Sequence, residues 1–424
     1  MRQAASRRLA GLVSPVLALA YLGFVSLGMP DGLLGVGWPS MRDDFGVPVD
    51  AVGFVLAVMT AGYFSSSVAA GFVLARLGVG RLLAVSTVLA GCALTGYALS
   101  PGLPLLVAFA LVLGLGSGAV DSGLNTYAAG HFGARQMNWL HASFGLGAMV
   151  GPLVMSAALE TDLTWRWGYG AVALAQAALA VAFLLTVRLW DDQPPATPGP
   201  VHDDRPPRVG AVSAGSTLRL PAVWLGVVLF VVYTGIEVGV GLWAYTLLTE
   251  SRGVSPGVAG VCVSAYWGAL FVGRVLYGVA ADRLRTGQVL GVCLCTMGLG
   301  AGLLAVPAPE ALAVLGVVLI GGFAAPVFPL LTLTTAERVG PAHADRAIGM
   351  QVAGAGLGGA AIPAGIGVLI GRYGGGALGV SLVALAALAI MLYLTLGRRA
   401  VPPDAPLAAG TPHRRSGAYR DGVE

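Results

Sequence analysis

The chain has no lysine: all 24 of its basic residues are arginine. A nucleotide-binding loop of the form Gly-x-x-x-x-Gly-Lys-Ser/Thr is therefore excluded, and with it ATP drive within this chain. Charge of either sign is scarce. Only 10% of the 424 residues are charged and 56% are hydrophobic, where a soluble domain carries about 25% charge. The net charge of +4 comes without any basic patch interleaved with aromatics, so nucleic acid is not an expected partner. The five histidines, His131, His141, His202, His343 and His413, are scattered. Nothing like His-Glu-x-x-His is present, which speaks against a membrane enzyme and predicts neither metal nor cofactor. Cysteine is confined to Cys92, Cys262, Cys293 and Cys295, all within apolar stretches. Cys293-Leu-Cys295 lacks metal or redox spacing, and the four read as small buried hydrophobes.

What is abundant is apolar length. The mean hydropathy is +0.81, and the 64 glycines suit membrane helices whose backbones approach closely. About 20 apolar residues span a bilayer as a helix. Runs of that size fall near 13–39, 50–75, 81–100, 103–129, 139–158 and 168–190, then near 221–248, 257–280, 287–306, 311–335, 347–371 and 376–397. This predicts an all-α integral membrane protein of twelve transmembrane helices in two pseudo-symmetric six-helix halves. The halves are residues 1–190 and 221–398. A Pro-, Asp- and Arg-rich linker, 191–220, joins them, and a tail of the same character occupies 399–424. The first run follows Arg7-Arg8, as a secretory leader would. It is too long and lacks a convincing cleavage site, so it reads as a retained first helix.

Arginine position sets the orientation. With the N-terminus cytoplasmic, the inner segments hold Arg76, Arg81, Arg135, Arg188, Arg283, Arg285, Arg338 and Arg346, besides those of the N-terminus, linker and tail. The outer loops hold only Arg42, Arg166, Arg252 and Arg372. This bias predicts both termini and the linker on the cytoplasmic side, in the plasma (inner) membrane.

The halves echo each other. Asp31 shortly precedes Trp38, as Glu237 shortly precedes Trp243. Run two ends Gly71 to Arg76-Leu77, and run eight ends Gly278 to Asp282-Arg283-Leu284. Run five carries Gly145-Leu-Gly147 to Pro152, and run eleven Gly356-Leu-Gly358 to Pro363. Three ordered matches argue for a duplicated six-helix unit, the architecture of alternating-access transporters.

These residues resemble the major facilitator superfamily, whose loop after helices two and eight reads Gly-x-x-x-Asp-Arg-x-Gly-Arg. Gly278, Asp282 and Arg283 match it; Gly71, Arg76, Gly78 and Arg81 fit more loosely, with Ala75 where the family has Asp. The resemblance implies a gating loop that latches neighbouring helix ends, weaker in the first half. Within the superfamily, Asp121-x-x-x-Asn125 and Asn138-Trp-Leu-His141-Ala-Ser-Phe144, with an acid in the first helix, are similar to the fucose permease group of proton-coupled sugar symporters. One departure is Asp121, where that group usually has Glu.

The chemistry turns on carboxylates inside apolar runs. A charge at the bilayer centre costs at least ~2.5–3.5 kcal/mol, so such residues usually face a cavity and work there. Asp31, Asp121 and Glu237 are the proton-coupling candidates. Pro30 removes a backbone donor and predicts a disturbed helix at Asp31. Asp121 and Asn125 share a helix face and can offer an acceptor and an amide to sugar hydroxyls; a helix–helix bond is the alternative for Asn125. Arg274 is either a counter-charge for Glu237 or snorkels to the surface. The substrate-binding candidates are Asp31, Asp121, Asn125, Asn138, His141, Trp267 and Gln351. Trp38, Trp139 and Trp243 are either stacking faces or interfacial anchors. Pro326, Pro329 and Pro363 read as kinks.

The leading expectation is proton-coupled uptake of a small sugar-like solute by alternating access. Its partners are the solute, protons and the lipid bilayer, and a monomer satisfies it. The alternative is a proton-antiport exporter of drugs or metabolites, because Gly147-Ala-Met-Val-Gly151-Pro152 partly fits the antiporter motif of fifth helices.

Overall fold

Lipid offers a peptide group no hydrogen-bond partner, so a chain this apolar has to satisfy its main chain internally. It does so as helices. The computed structural model describes residues 15–161, 163–191, 214–280, 283–307 and 309–397. Within them lie twelve helices long and apolar enough to cross a membrane. The first six are α1 (Pro15–Phe45), α2 (Val52–Leu77), α3 (Val79–Leu99), α4 (Leu103–His131), α5 (Ala134–Glu160) and α6 (Trp165–Asp191). The second six are α7 (Pro221–Thr246), α8 (Pro256–Ala280), α9 (Thr286–Ala305), α10 (Glu310–Leu333), α11 (Pro341–Tyr373) and α12 (Ala377–Gly397). Most of the linker, the tail, and Asp282 of the expected gating loop lie outside the described residues.

Several helices outrun their apolar cores. α1 continues past the expected end at 39 to Phe45, and α5 and α11 begin at Ala134 and Pro341. A formed helix adds each further residue at little cost, and the added residues include polar ones such as Arg42, Asp43, Arg135 and Arg346. The 31 residues of α1 make a rod of about 46 Å, longer than the ~30 Å hydrocarbon core.

The expected disturbance at Pro30 does not occur. Pro30 and Pro39 both sit inside the unbroken α1. The helix is held on both sides of Pro30, because Gly28 and Gly32 press against the main chain of α5 at Phe144 and Ala148. Packing overrides the missing donor, as neighbouring helices allow in membranes. Pro326 does break its helix: α10 runs Glu310–Ala324 and resumes at Val327–Leu333. Pro363 lies within the continuous α11.

Helix pairing repeats with the sequence. α1 packs on α5, α2 on α4, and α3 on α4 and α6; six places on, α7 packs on α11, α8 on α10, and α9 on α10 and α12. The glycine contacts repeat as well. A Cβ on Gly147 would land on the carbonyl oxygen of Val25, and one on Gly358 on that of Val231. Val25 lies six residues before Asp31, Val231 six before Glu237; Gly147 lies five before Pro152, Gly358 five before Pro363. The same small-residue contact thus seats α5 on α1 and α11 on α7. The chain leaves α1 and α7 through Gly46 and Gly253, with φ of 64° and 67°, a region that glycine enters freely.

Trp38 and Trp243 are neither interfacial anchors nor stacking faces. Both are fully buried. Trp38 donates from Nε1 to the carbonyl of Val49 at 2.8 Å, and Trp243 to that of Pro363 at 2.8 Å. An indole N–H in apolar surroundings needs such an acceptor.

Candidate functional site

The halves face each other through α5 against α8 and α2 against α11, with α1 against α7. Between them lies a cavity of about 370 Å³, at the small end of the ~300–1,000 Å³ typical of ligand pockets. The first half contributes Asp31, Thr60, Tyr63, Ser117, Asp121 and Tyr169 to its wall. The second contributes Thr234, Trp267, Phe328 and the small residues Gly241, Ala355, Gly356 and Gly359. Two carboxylates therefore meet in one mostly apolar chamber, and no cationic side chain among the described residues lines it.

The two carboxylates differ. Asp31 is exposed to the cavity, and no hydrogen bond or ion pair holds its side chain among the described residues. Asp121 is held. The Tyr63 hydroxyl donates to its Oδ2 at 2.6 Å, and Asn125 Nδ2 donates to its Oδ1 at 3.0 Å and to its carbonyl at 3.0 Å. Asn125 is thus spent on its own helix and does not line the cavity. Tyr63, from α2, fixes the carboxylate of α4 by a charge-assisted bond.

Glu237 sits behind the wall, between the cavity-lining Thr234 and Val238. Arg274 Nη2 lies 3.5 Å from its Oε1, so the counter-charge reading of Arg274 describes its position. The Tyr233 hydroxyl lies against Glu237 Oε2 and, at 2.9 Å, against the carbonyl of Ala324 beside the α10 break. Tyr266 donates to the Glu237 carbonyl at 2.7 Å. This network joins α7, α8 and α10.

The other expected ligands divide. Trp267 lines the cavity and is buried. His141 is exposed, stands edge-on to Phe24 with ring centres 5.3 Å apart, and lies within electrostatic reach of Asp121 without lining the cavity. Asn138 borders Gly278 at the α5–α8 seam. Gln351 is 3% exposed and accepts from Thr335 Oγ1 at 2.9 Å, and its amide nitrogen covers Gly226 of α7. It joins helices behind the wall. Of the gating-loop residues, Gly71 has open space around it, Arg76 and Arg283 are exposed, and Gly278 meets α5.

Sequence reasoning missed Tyr63, Tyr97 and Tyr169. A tyrosine in an apolar helix carries no spacing that separates a cavity wall from a core. It also missed the seam of ion pairs at the C-terminal ends of α1 and α7. Arg42 Nη2 lies 2.6 Å from Glu250 Oε1, joining the end of α1 to the turn after α7, and Arg42 Nε lies 3.5 Å from Asp43. Arg166 binds Asp44 and the Ser100 carbonyl, and Arg252 the carbonyls of Leu304 and Val306. Three of the four arginines expected in outer loops thus tie helix ends together.

The Arg42–Glu250 pair is partly exposed, where such pairs contribute ~0.2–1 kcal/mol. Arg42→Glu should raise thiol labelling of Val368→Cys, which lines the adjoining polar cavity, by up to about fivefold. Adding Glu250→Arg should return it to the starting rate. An unchanged rate in the single variant would mean that the pair does not hold the seam.

The Major Facilitator Superfamily model matches residues 20–247 and 225–420. The glucose/mannose transporter GlcP of Bacillus subtilis (strain 168) is 23% identical over 347 residues, covering 81% of this chain and 84% of that protein. The solved structure of a D-xylose–proton symporter superposes with a TM-score of 0.72 at 16% identity, covering 91% of this chain and 98% of that one. That of the nucleoside transporter NupG gives 0.68 at 14%, covering 91% and 98%. The chain belongs to the Major Facilitator Superfamily. It is a multi-pass membrane transporter and not an enzyme.

Proposed function

We propose that this member of the Major Facilitator Superfamily carries a small sugar-like solute into the cell together with protons. One observation carries the reading: Asp31, a carboxylate without a partner among the described residues, faces a chamber between two half-molecules. Such a group can take a proton from one side and release it to the other as the halves rock. Asp121, held by Tyr63 and Asn125, serves as the fixed acceptor for the solute. Trp267 offers an apolar face from the opposite half. Glu237 couples through the α7–α8–α10 network and touches no solute. GlcP, a glucose/mannose transporter, and the D-xylose–proton symporter both carry sugars by name, which supports the solute class.

The fine organisation follows the sequence reading: halves at 1–190 and 221–398, linker 191–220 and tail 399–424, with both termini cytoplasmic in the plasma membrane. Arg283 acts with Gly278 near the inner α5–α8 seam; Asp282, outside the described residues, is assigned to the same gating loop by the motif alone; Gly71 and Arg76 form the looser counterpart.

Proton-antiport export of a lipophilic cation is the second reading, favoured by two carboxylates in a chamber that no cationic side chain among the described residues lines. The antiporter-like glycines do not add to it, because Gly147 and Gly151 are already explained by their packing on the α1 main chain at Val25 and Met29. Counterflow in liposomes separates the two. Internal unlabelled glucose or mannose should accelerate entry of the labelled sugar, and tetraphenylphosphonium should not compete. Competition by the cation with no sugar counterflow would replace the first reading with the second.

Tyr63→Phe removes one hydrogen bond to the Asp121 carboxylate. Bonds to charged groups contribute ~1.5–3 kcal/mol, so sugar affinity in this variant should fall about tenfold or more. Titration of binding by isothermal calorimetry checks this; wild-type affinity would mean that Asp121 needs no fixing.

A further inference from the structure

Seven buried side-chain nitrogen or oxygen atoms have no hydrogen-bond partner among the described residues, and four of them belong to side chains that line the central cavity. They are Tyr97 Oη, Tyr169 Oη, Thr234 Oγ1 and Trp267 Nε1. Native proteins rarely leave buried polar atoms unpaired, and each instance calls for an explanation. Concentration at one chamber supplies a common one.

Tyr97 comes from α3 and Tyr169 from α6. Their rings meet edge-on with centres 5.1 Å apart, and both side chains are almost wholly buried. Asp31 lies within electrostatic reach of Tyr169. If these positions needed only an aromatic ring, phenylalanine would fill the same space without an orphaned hydroxyl, and the fold would be at least as stable. The hydroxyls are therefore costly to the solute-free protein, and because the atoms themselves are covered, a bound partner offsets that cost by reaching them as the wall shifts around it.

We infer that Tyr97 and Tyr169, with Thr234 across the cavity, are hydroxyl-reading, specificity-determining residues for a neutral polyhydroxylated substrate. This rests on the cavity's being the transport site. The chemistry of the wall selects the class. Phenol and threonine hydroxyls both donate and accept, indole N–H only donates, and carboxylates only accept. An anionic solute would meet two carboxylates and no cation. A lipophilic cation would suit the carboxylates and leave the donors empty. A ring carrying several hydroxyls satisfies donors and acceptors together.

The test uses the full chain in liposomes, with glucose and its 2-, 3-, 4- and 6-deoxy analogues as probes. The isosteric variants are Tyr97→Phe, Tyr169→Phe and, as an independent third, Thr234→Val. Each should keep or raise the thermal stability of the sugar-free protein while weakening glucose binding about three- to tenfold. For one deoxy analogue per variant the loss should vanish, because substrate and protein then lack the two halves of one hydrogen bond. Lower stability without sugar, or unchanged affinity for every probe, would overturn the inference, since the hydroxyls would then be satisfied within the protein. A wild type that binds no probe would overturn the sugar reading itself, a result distinct from wild-type binding that the variants leave untouched.

Discussion

Asp31→Asn should abolish accumulation and spare exchange. A proton gradient of one pH unit stores ~1.4 kcal/mol, and coupling one proton to one solute converts that into an accumulation of about tenfold. The wild type in liposomes should approach that ratio, and the variant should stop at equality. Asparagine keeps the size and one oxygen of the side chain but cannot take up the proton, so both half-molecules still close on the solute. Counterflow should then persist within a few-fold of the wild type. The prediction is specific to Asp31 because, of the three intramembrane acids, it faces the cavity without a partner among the described residues, whereas Asp121 is bound by Tyr63 and Asn125, and Glu237 lies behind the wall against Arg274. The check is the steady-state ratio of labelled sugar inside to outside under an imposed gradient. Undiminished accumulation in the variant would move the proton site elsewhere, with Asp121 next in line.

Gly147→Leu and Gly358→Leu should be among the most damaging single substitutions to the fold. At each position a Cβ would fall on a carbonyl oxygen of the facing helix, Val25 of α1 or Val231 of α7. Main chain cannot turn aside as a flexible side chain can. The helix pair has to separate, and with it goes the packing on which membrane helices depend. Overpacking typically costs ~1–3 kcal/mol where side chains can yield; a main-chain obstacle puts these variants above ~4 kcal/mol, in the exceptional range. Gly291→Leu on α9, where a Cβ meets nothing within 4 Å, should stay within about 0.5 kcal/mol. Size-exclusion profiles and thermal unfolding of purified variants report the difference. Equal behaviour of the three would mean that the α1–α5 and α7–α11 contacts are not as close as described.

These predictions also mark where the sequence is legible. The twelve helices and their duplication are written in composition and in the spacing of a few residues, because a continuous apolar run of about 20 residues can satisfy its main chain in lipid only as a helix and because close helix contacts demand glycine. The repeated Gly-to-Pro interval in runs five and eleven is the contact itself. The carboxylates were legible for a related reason: charge is costly enough in an apolar run that its presence needs a purpose. Pro30 was misleading, since its local preference lost to packing on both flanks. Trp38 and Trp243 were misread because their acceptors, Val49 and Pro363, are distant in the chain or on another helix. Tyr97 and Tyr169 were invisible. Only the assembled cavity separates a tyrosine that lines it from one that fills a core.

The central claim is that solute and proton cross in the same direction through the Asp31 chamber. It is tested most directly by recording external pH and labelled-sugar entry together in one suspension of liposomes carrying the purified protein, with no gradient imposed. Adding glucose outside should raise the external pH in step with sugar entry, at a fixed ratio of protons to sugar, and Asp31→Asn should keep the entry and lose the pH change. Sugar entry at constant pH in the wild type, or external acidification when sugar is added, would contradict the account.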